Sequence, residues 1–184
     1  MYTLGPEEKA SVVVVYTQNG LIRGEVVTPS SVRLNTWFRT DSAPDYIHLY
    51  KLYWIQAIAG GIKPLAYTEL LLPVSLIIGF HPAPPSREPL DYDVREDNRI
   101  SKPVVVLMGL FVVNGNVRAS AQTDLVTNLQ ISHSPWVSIY DAEISSPHLA
   151  QMPPLQVPML LVRPTQVAPL CQRIPRRTSS ASSS

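Results

Sequence analysis

The sequence predicts an all-β protein: two small β-barrels in tandem, over residues 1–81 and 100–168, joined by a proline-rich acidic linker at 82–99 and followed by a disordered tail at 169–184. Three observations predict this. The segment Asn19-Gly20-Leu21-Ile22-Arg23-Gly24 has a second version, Asn114-Gly115-Asn116-Val117-Arg118-Ala119, 95 positions later. Apolar residues alternate with a period of two over short runs bounded by turn residues. The chain carries 18 prolines against 8 glycines, which indicates stiff connections and protected strand edges rather than a flexible low-complexity chain.

In the first half, residues 11–16 are a β-branched run, and Asn19-Gly20 is the dipeptide that tolerates a type I′ turn. Residues 21–27 resume an extended pattern, giving a hairpin. On that second strand Ile22, Gly24 and Val26 share the face expected to point inward, and Gly24 would let the strand bend or another backbone approach. After the turn at 28–31, residues 32–39 alternate as a third strand, with Val32, Leu34, Thr36 and Phe38 on one face. A turn at 41–45 precedes a strand at 45–58 that buries Ile47, Leu49 and either Leu52 or Tyr53. Gly60, Gly61 and Pro64 then form a loop, and residues 70–80 a last strand whose start Pro73 confines to an edge or a bulge.

From 81 to 98, prolines 82, 84, 85 and 89 alternate with charged residues, predicting a semi-rigid extended spacer. The pattern then restarts with a strand at 104–113, a turn at Asn114-Gly115 and a returning strand at 117–121. Val32, Asn35 and Phe38 match Leu125, Asn128 and Ile131 at an offset of 93. Ile47, Leu49 and Tyr50 match Val137, Ile139 and Tyr140 at 90, and Leu70, Leu71, Ser75 and Ile77 match Leu160, Leu161, Thr165 and Val167 at the same offset. The offset falls only where turns lie, as loop shortening in a duplicated unit requires. The tail beyond 169 is too polar to offset its ordering entropy.

Function is less legible than fold. The net charge of +1, with five basic against four acidic residues between 11 and 80, gives no basic face for a polyanion. The single cysteine, Cys171, and the acidic pair Glu7 and Glu8 near the start point to a cytoplasmic protein. The most apolar run, 70–80, spans 11 residues, short of the roughly 20 of a membrane helix. His48, His81, His133 and His148 are scattered and read as surface or loop imidazoles, so no metal, cofactor or small-molecule substrate is inferred. Asp124, Asp141 and Glu143 read as solvated turn and strand-end acids, and no nucleophile motif appears; a non-enzymatic role is expected. Arg176-Arg177-Thr178-Ser179 has the pattern of a basophilic phosphorylation site. Arg23 and Arg118, matched on the outward faces, and the aromatic Trp37 and Trp54 are the candidate interaction residues.

The order of residues 16–26, then Val32-Arg33-Leu34-Asn35, then Tyr46-Ile47-His48-Leu49 resembles that of Sm-like small β-barrels. It is closer still to an uncharacterised bacterial barrel family with a glycine-turn hairpin, an Arg-Leu strand opening and a threonine-aspartate-alanine strand end, which Ser138-Ile139-Tyr140-Asp141-Ala142-Glu143-Ile144 is similar to. The resemblance implies five strongly bent strands per barrel and, for Sm relatives, rings and RNA contact. Leu34-Asn35 lacks the acid that precedes it in Sm loops, and the Arg-Gly expected near Leu72 or Val162 is absent. The expectation is therefore a protein-interaction or assembly module, with Sm-like RNA binding as the alternative.

Overall fold

A computed structural model describes residues 3–40, 44–58, 61–85, 88–93, 95–123, 127, 134–149 and 151–170. The protein is all-β. Strands β1 (Glu8–Thr17), β2 (Gly20–Pro29), β3 (Tyr46–Ile58), β4 (Gly61–Pro73) and β5 (Gly79–Pro82) come from the first half. Strands β6 (Arg99–Met108), β7 (Phe111–Ser120), β8 (Val137–Ser145), β9 (Leu155–Val162) and β10 (Ala168–Leu170) come from the second. All ten form one antiparallel sheet in the order β10-β6-β7-β8-β9-β5-β1-β2-β3-β4. The sheet is not closed, since among the described residues β10 and β4 each have one neighbour, and β5 pairs with β1 on one side and β9 on the other.

The pairing pattern occurs twice. Val13 faces Gly24 in the first half and Val104 faces Gly115 in the second, 91 positions on. Ile47 faces Leu72, and Val137 faces Val162, 90 positions on. Each third strand carries a bulge at the same place: Lys51 has φ 46° and Asp141 has φ 49°. The bulge moves the buried face from odd to even numbering, so Leu49 and Leu52 are both buried while Tyr53 points out. A 3-10 turn follows β4 at Val74–Leu76 and another follows β9 at Pro164–Gln166.

These registers correct the Asn-Gly match. The β6–β7 turn lies at Gly109 and Leu110, where Gly109 adopts φ 57°, so Asn114-Gly115 falls inside β7. A Cβ on Gly115 would lie 2.5 Å from Ile139 Cγ2 and 2.9 Å from the Tyr140 carbonyl; close approach of β8, not a turn, requires the glycine. The first hairpin turns on Gln18 and Asn19, neither at positive φ, so it is not a type I′ turn. Structural equivalence in the second strands is 91 positions rather than 95, and Ile22 corresponds to Val113, not Val117. The matches at 93 rest on Leu125, Asn128 and Ile131, which lie outside the described residues.

Three further strand expectations change. Residues 34–37 form a short helix, α1 (Leu34–Trp37), whose i,i+4 spacing puts Leu34 and Phe38 together in the core; the alternation read there as a strand fits both periods. Pro64 lies in β4 opposite Ile55 rather than in a loop, tolerated because β4 is an edge. The run 70–80 is the end of β4, a 3-10 turn and β5, because Pro73 ends the ladder. Strand β10 continues to Leu170, past the predicted tail boundary at 169; residues 171–184, with Cys171 and the Arg176–Ser179 motif, lie outside the described residues.

Two cores lie on opposite faces of a shared wall. Val13 and Val15 of β1 enter one core with Ile22, Phe38, Leu49 and Phe80; Val14 and Tyr16 enter the other with Met108, Phe111 and Val113. Burial on both faces explains why β1 reads as an unbroken valine run rather than an alternating one.

Candidate interaction surface

The linker is a strap rather than a spacer. The Glu88 carboxylate accepts from the backbone N–H groups of Leu34 (3.0 Å) and Asn35 (3.3 Å). Three residues on, Asp91 joins the halves: it pairs with Arg39 of the first, and accepts from Ser138 Oγ at 2.7 Å and Tyr140 OH at 2.6 Å of the second. Arg39 also donates to Ser138 Oγ. Burial opposes ionisation of Asp91, but the hydrogen bonds from Tyr140 and Ser138 and the Arg39 guanidinium outweigh it and hold the carboxyl below the usual range. Burial, and then Asp91 itself, push the Tyr140 hydroxyl up. Replacing Asp91 by alanine is expected to lower unfolding free energy by about 2 kcal/mol, because Arg39 and Tyr140 lose their common acceptor. Urea denaturation at neutral pH reads this, and Asp91→Asn should recover some of the loss.

Of the four candidate residues, Arg23 is exposed on β2 and, among the described residues, has no ion pair. Arg118 is covered: its guanidinium lies 4.2 Å from the Tyr92 ring centroid and 3.8 Å from Glu96. The two arginines are not equivalent, for the 91-position register puts Val27 opposite Arg118's place and Asn114 opposite Arg23's. Trp37 and Trp54 are half-buried against the first-half core, so neither offers a free stacking platform. His81 is fully buried, not a surface imidazole, because β5 is an inner strand. His48 is a surface residue that contacts Glu69 at 3.2 Å and Tyr50 at 2.8 Å, whereas His133 and Asp124 lie outside the described residues.

Sequence reasoning missed the joint between β5 and β9. Gly79 faces Val162 and Phe80 faces Leu161. The Arg163 N–H donates to the Ile78 carbonyl at 2.9 Å, and its side chain donates to the carbonyls of Ile77 (3.2 Å) and Val74 (3.1 Å). Gln166 Nε2 donates to the Ser75 carbonyl at 2.9 Å, linking the two 3-10 turns. Leu161 and Leu71 hold equivalent places, yet Leu161 is 0% exposed and Leu71 is 63% exposed, because no strand among the described residues pairs with the outer edge of β4. The signal was present in Leu71 and Leu161 themselves, which match in sequence but sit at unequal edges.

Among the described residues no group of three or more His, Cys, Asp or Glu side chains is placed to hold a metal ion, and no helix is long and apolar enough to cross a membrane. Compared with protein-family models, curated proteins and solved structures, the chain matches none.

Proposed function

We propose that the protein is a non-catalytic assembly module, built from two small-barrel units of Sm-like type, that associates head to tail through its open sheet edges. The observation that carries this reading is the β5–β9 joint. Each half has the same strand order, β5-β1-β2-β3-β4 and β10-β6-β7-β8-β9, and the joint uses the last strand of one half and the outer strand of the other. The remaining members of the two pairs, β10 and β4, are the open edges among the described residues. A second copy offering β10 to β4 would repeat the joint and cover Leu71 as Leu161 is covered. Such a contact is heterologous, so it closes into a ring or grows.

Two prolines limit its strength. Pro73 stands where Arg163 donates its N–H, and Pro169 stands where Phe80 pairs, so an intermolecular joint makes fewer main-chain bonds than the internal one. Association should therefore depend on concentration. Light scattering after size exclusion is expected to show a mass above the 20.4 kDa monomer that rises with loading. Leu71→Arg should weaken the association at least tenfold. A wild-type chain that stays monomeric at the highest attainable concentration, or a Leu71→Arg chain that associates as well as wild type, would refute the reading.

A further inference from the structure

A cavity of about 450 Å³ opens between the outer part of β2 and β3 and the segment leading into β9. Its size falls in the range of small-ligand sites. Leu21, Ile55, Met152 and Leu155 line it with carbon. Pro64, Pro84 and Pro153 also line it, and prolines present no backbone donor. The ring of Tyr16 reaches the wall, but its hydroxyl is already bonded to His81 at 3.1 Å. The lining is almost entirely carbon, and its two exposed residues with polar ends are Arg23 and Tyr53, which are cross-strand partners, Tyr53 being 53% exposed.

We infer that this cavity binds an amphipathic monocarboxylate, with the alkyl chain against the carbon walls and the carboxylate at Arg23 and Tyr53. The charge is complementary, for Arg23 has no ion pair among the described residues, and a guanidinium forms charge-assisted bonds to a carboxylate. An alkyl chain suits the walls where a peptide does not. A peptide main chain placed there would leave its N–H and C=O groups without partners, a cost an aliphatic chain does not incur. The lining includes Pro64 of β4 but neither Leu71 nor any residue of β10, so Leu71→Arg leaves it intact and the two proposals are tested separately.

The test uses the full chain and 11-(dansylamino)undecanoic acid as a fluorescent probe, below micellar concentrations. Saturable binding is expected, with laurate displacing the probe at least tenfold better than dodecyltrimethylammonium, which has a similar tail and the opposite charge. Arg23→Gln should weaken laurate about tenfold while leaving the thermal midpoint unchanged. Met152→Trp, or Pro153→Trp should the first variant fold poorly, should fill the cavity and abolish binding. The inference is overturned if the probe does not saturate, if the two amphiphiles displace it equally, if an end-capped apolar peptide competes as well as laurate, or if Arg23→Gln and the filling variants bind as wild type does.

Discussion

Replacing Trp136 by alanine is expected to destabilise the protein by about 4 kcal/mol, in one transition rather than two. Trp136 precedes β8 in the second half but is buried, 3% exposed, in the core built mainly by the first. Its ring meets Phe80 edge-on at 5.2 Å and Phe38 at 6.0 Å, and the Arg163 guanidinium lies 4.6 Å from its centroid. Truncation leaves a cavity where β8, β9 and β5 converge. Because β1, β5 and β9 form a wall between the two cores, loosening one core removes support from the other. Denaturation followed by far-ultraviolet and near-ultraviolet dichroism should show coincident midpoints that shift together. Two transitions, with only one displaced, would mean that the halves are separable. Trp136→Phe should cost less, as a smaller volume is lost.

Stability should fall by about 3 kcal/mol between pH 6.5 and 4 on account of His81 alone. Its Nδ1–H donates to the Pro82 carbonyl at 2.8 Å, which leaves Nε2 to accept from the Tyr16 hydroxyl at 3.1 Å. That tautomer is neutral and complete. Burial lowers the pKa from 6.5 to about 4, with the bond to Pro82 opposing the shift. A depressed folded value means that the unfolded chain takes up the proton first. The stabilisation is therefore fully present above pH 6.5 and is lost as pH falls through 4. Urea midpoints across this range measure it. The double variant Tyr16→Phe with His81→Leu removes both polar partners, so it should flatten the slope without leaving an unsatisfied hydroxyl. An unchanged slope in that variant would assign the pH dependence to other groups, of which Asp91, also depressed, acts at lower pH.

Much of the strand content was legible because alternation is a local property. Ile22, Gly24 and Val26 lie inward and Arg23 outward as a period of two requires. Ile47 and Leu49 read as core and are core. The strap was not legible, because Glu88, Asp91 and Tyr92 look like solvated linker residues until their partners from both halves are assembled around them. The carboxylate-binding candidate was half legible. Arg23 stood out as an outward arginine, but its walls come from segments as distant as Pro64 and Leu155.

By itself the sequence determined that the chain is β, where most strands run, and which face of β2 turns inward, since those depend on neighbours two residues apart. Only the tertiary structure decided the rest. It turned Asn114-Gly115 from a turn into a crossing point and residues 34–37 from a strand into a helical turn, and it joined the two halves in one open sheet with two cores. The reason is the same in each case: a glycine, a proline or an apolar pair permits several local geometries, and what packs against it from far along the chain selects one.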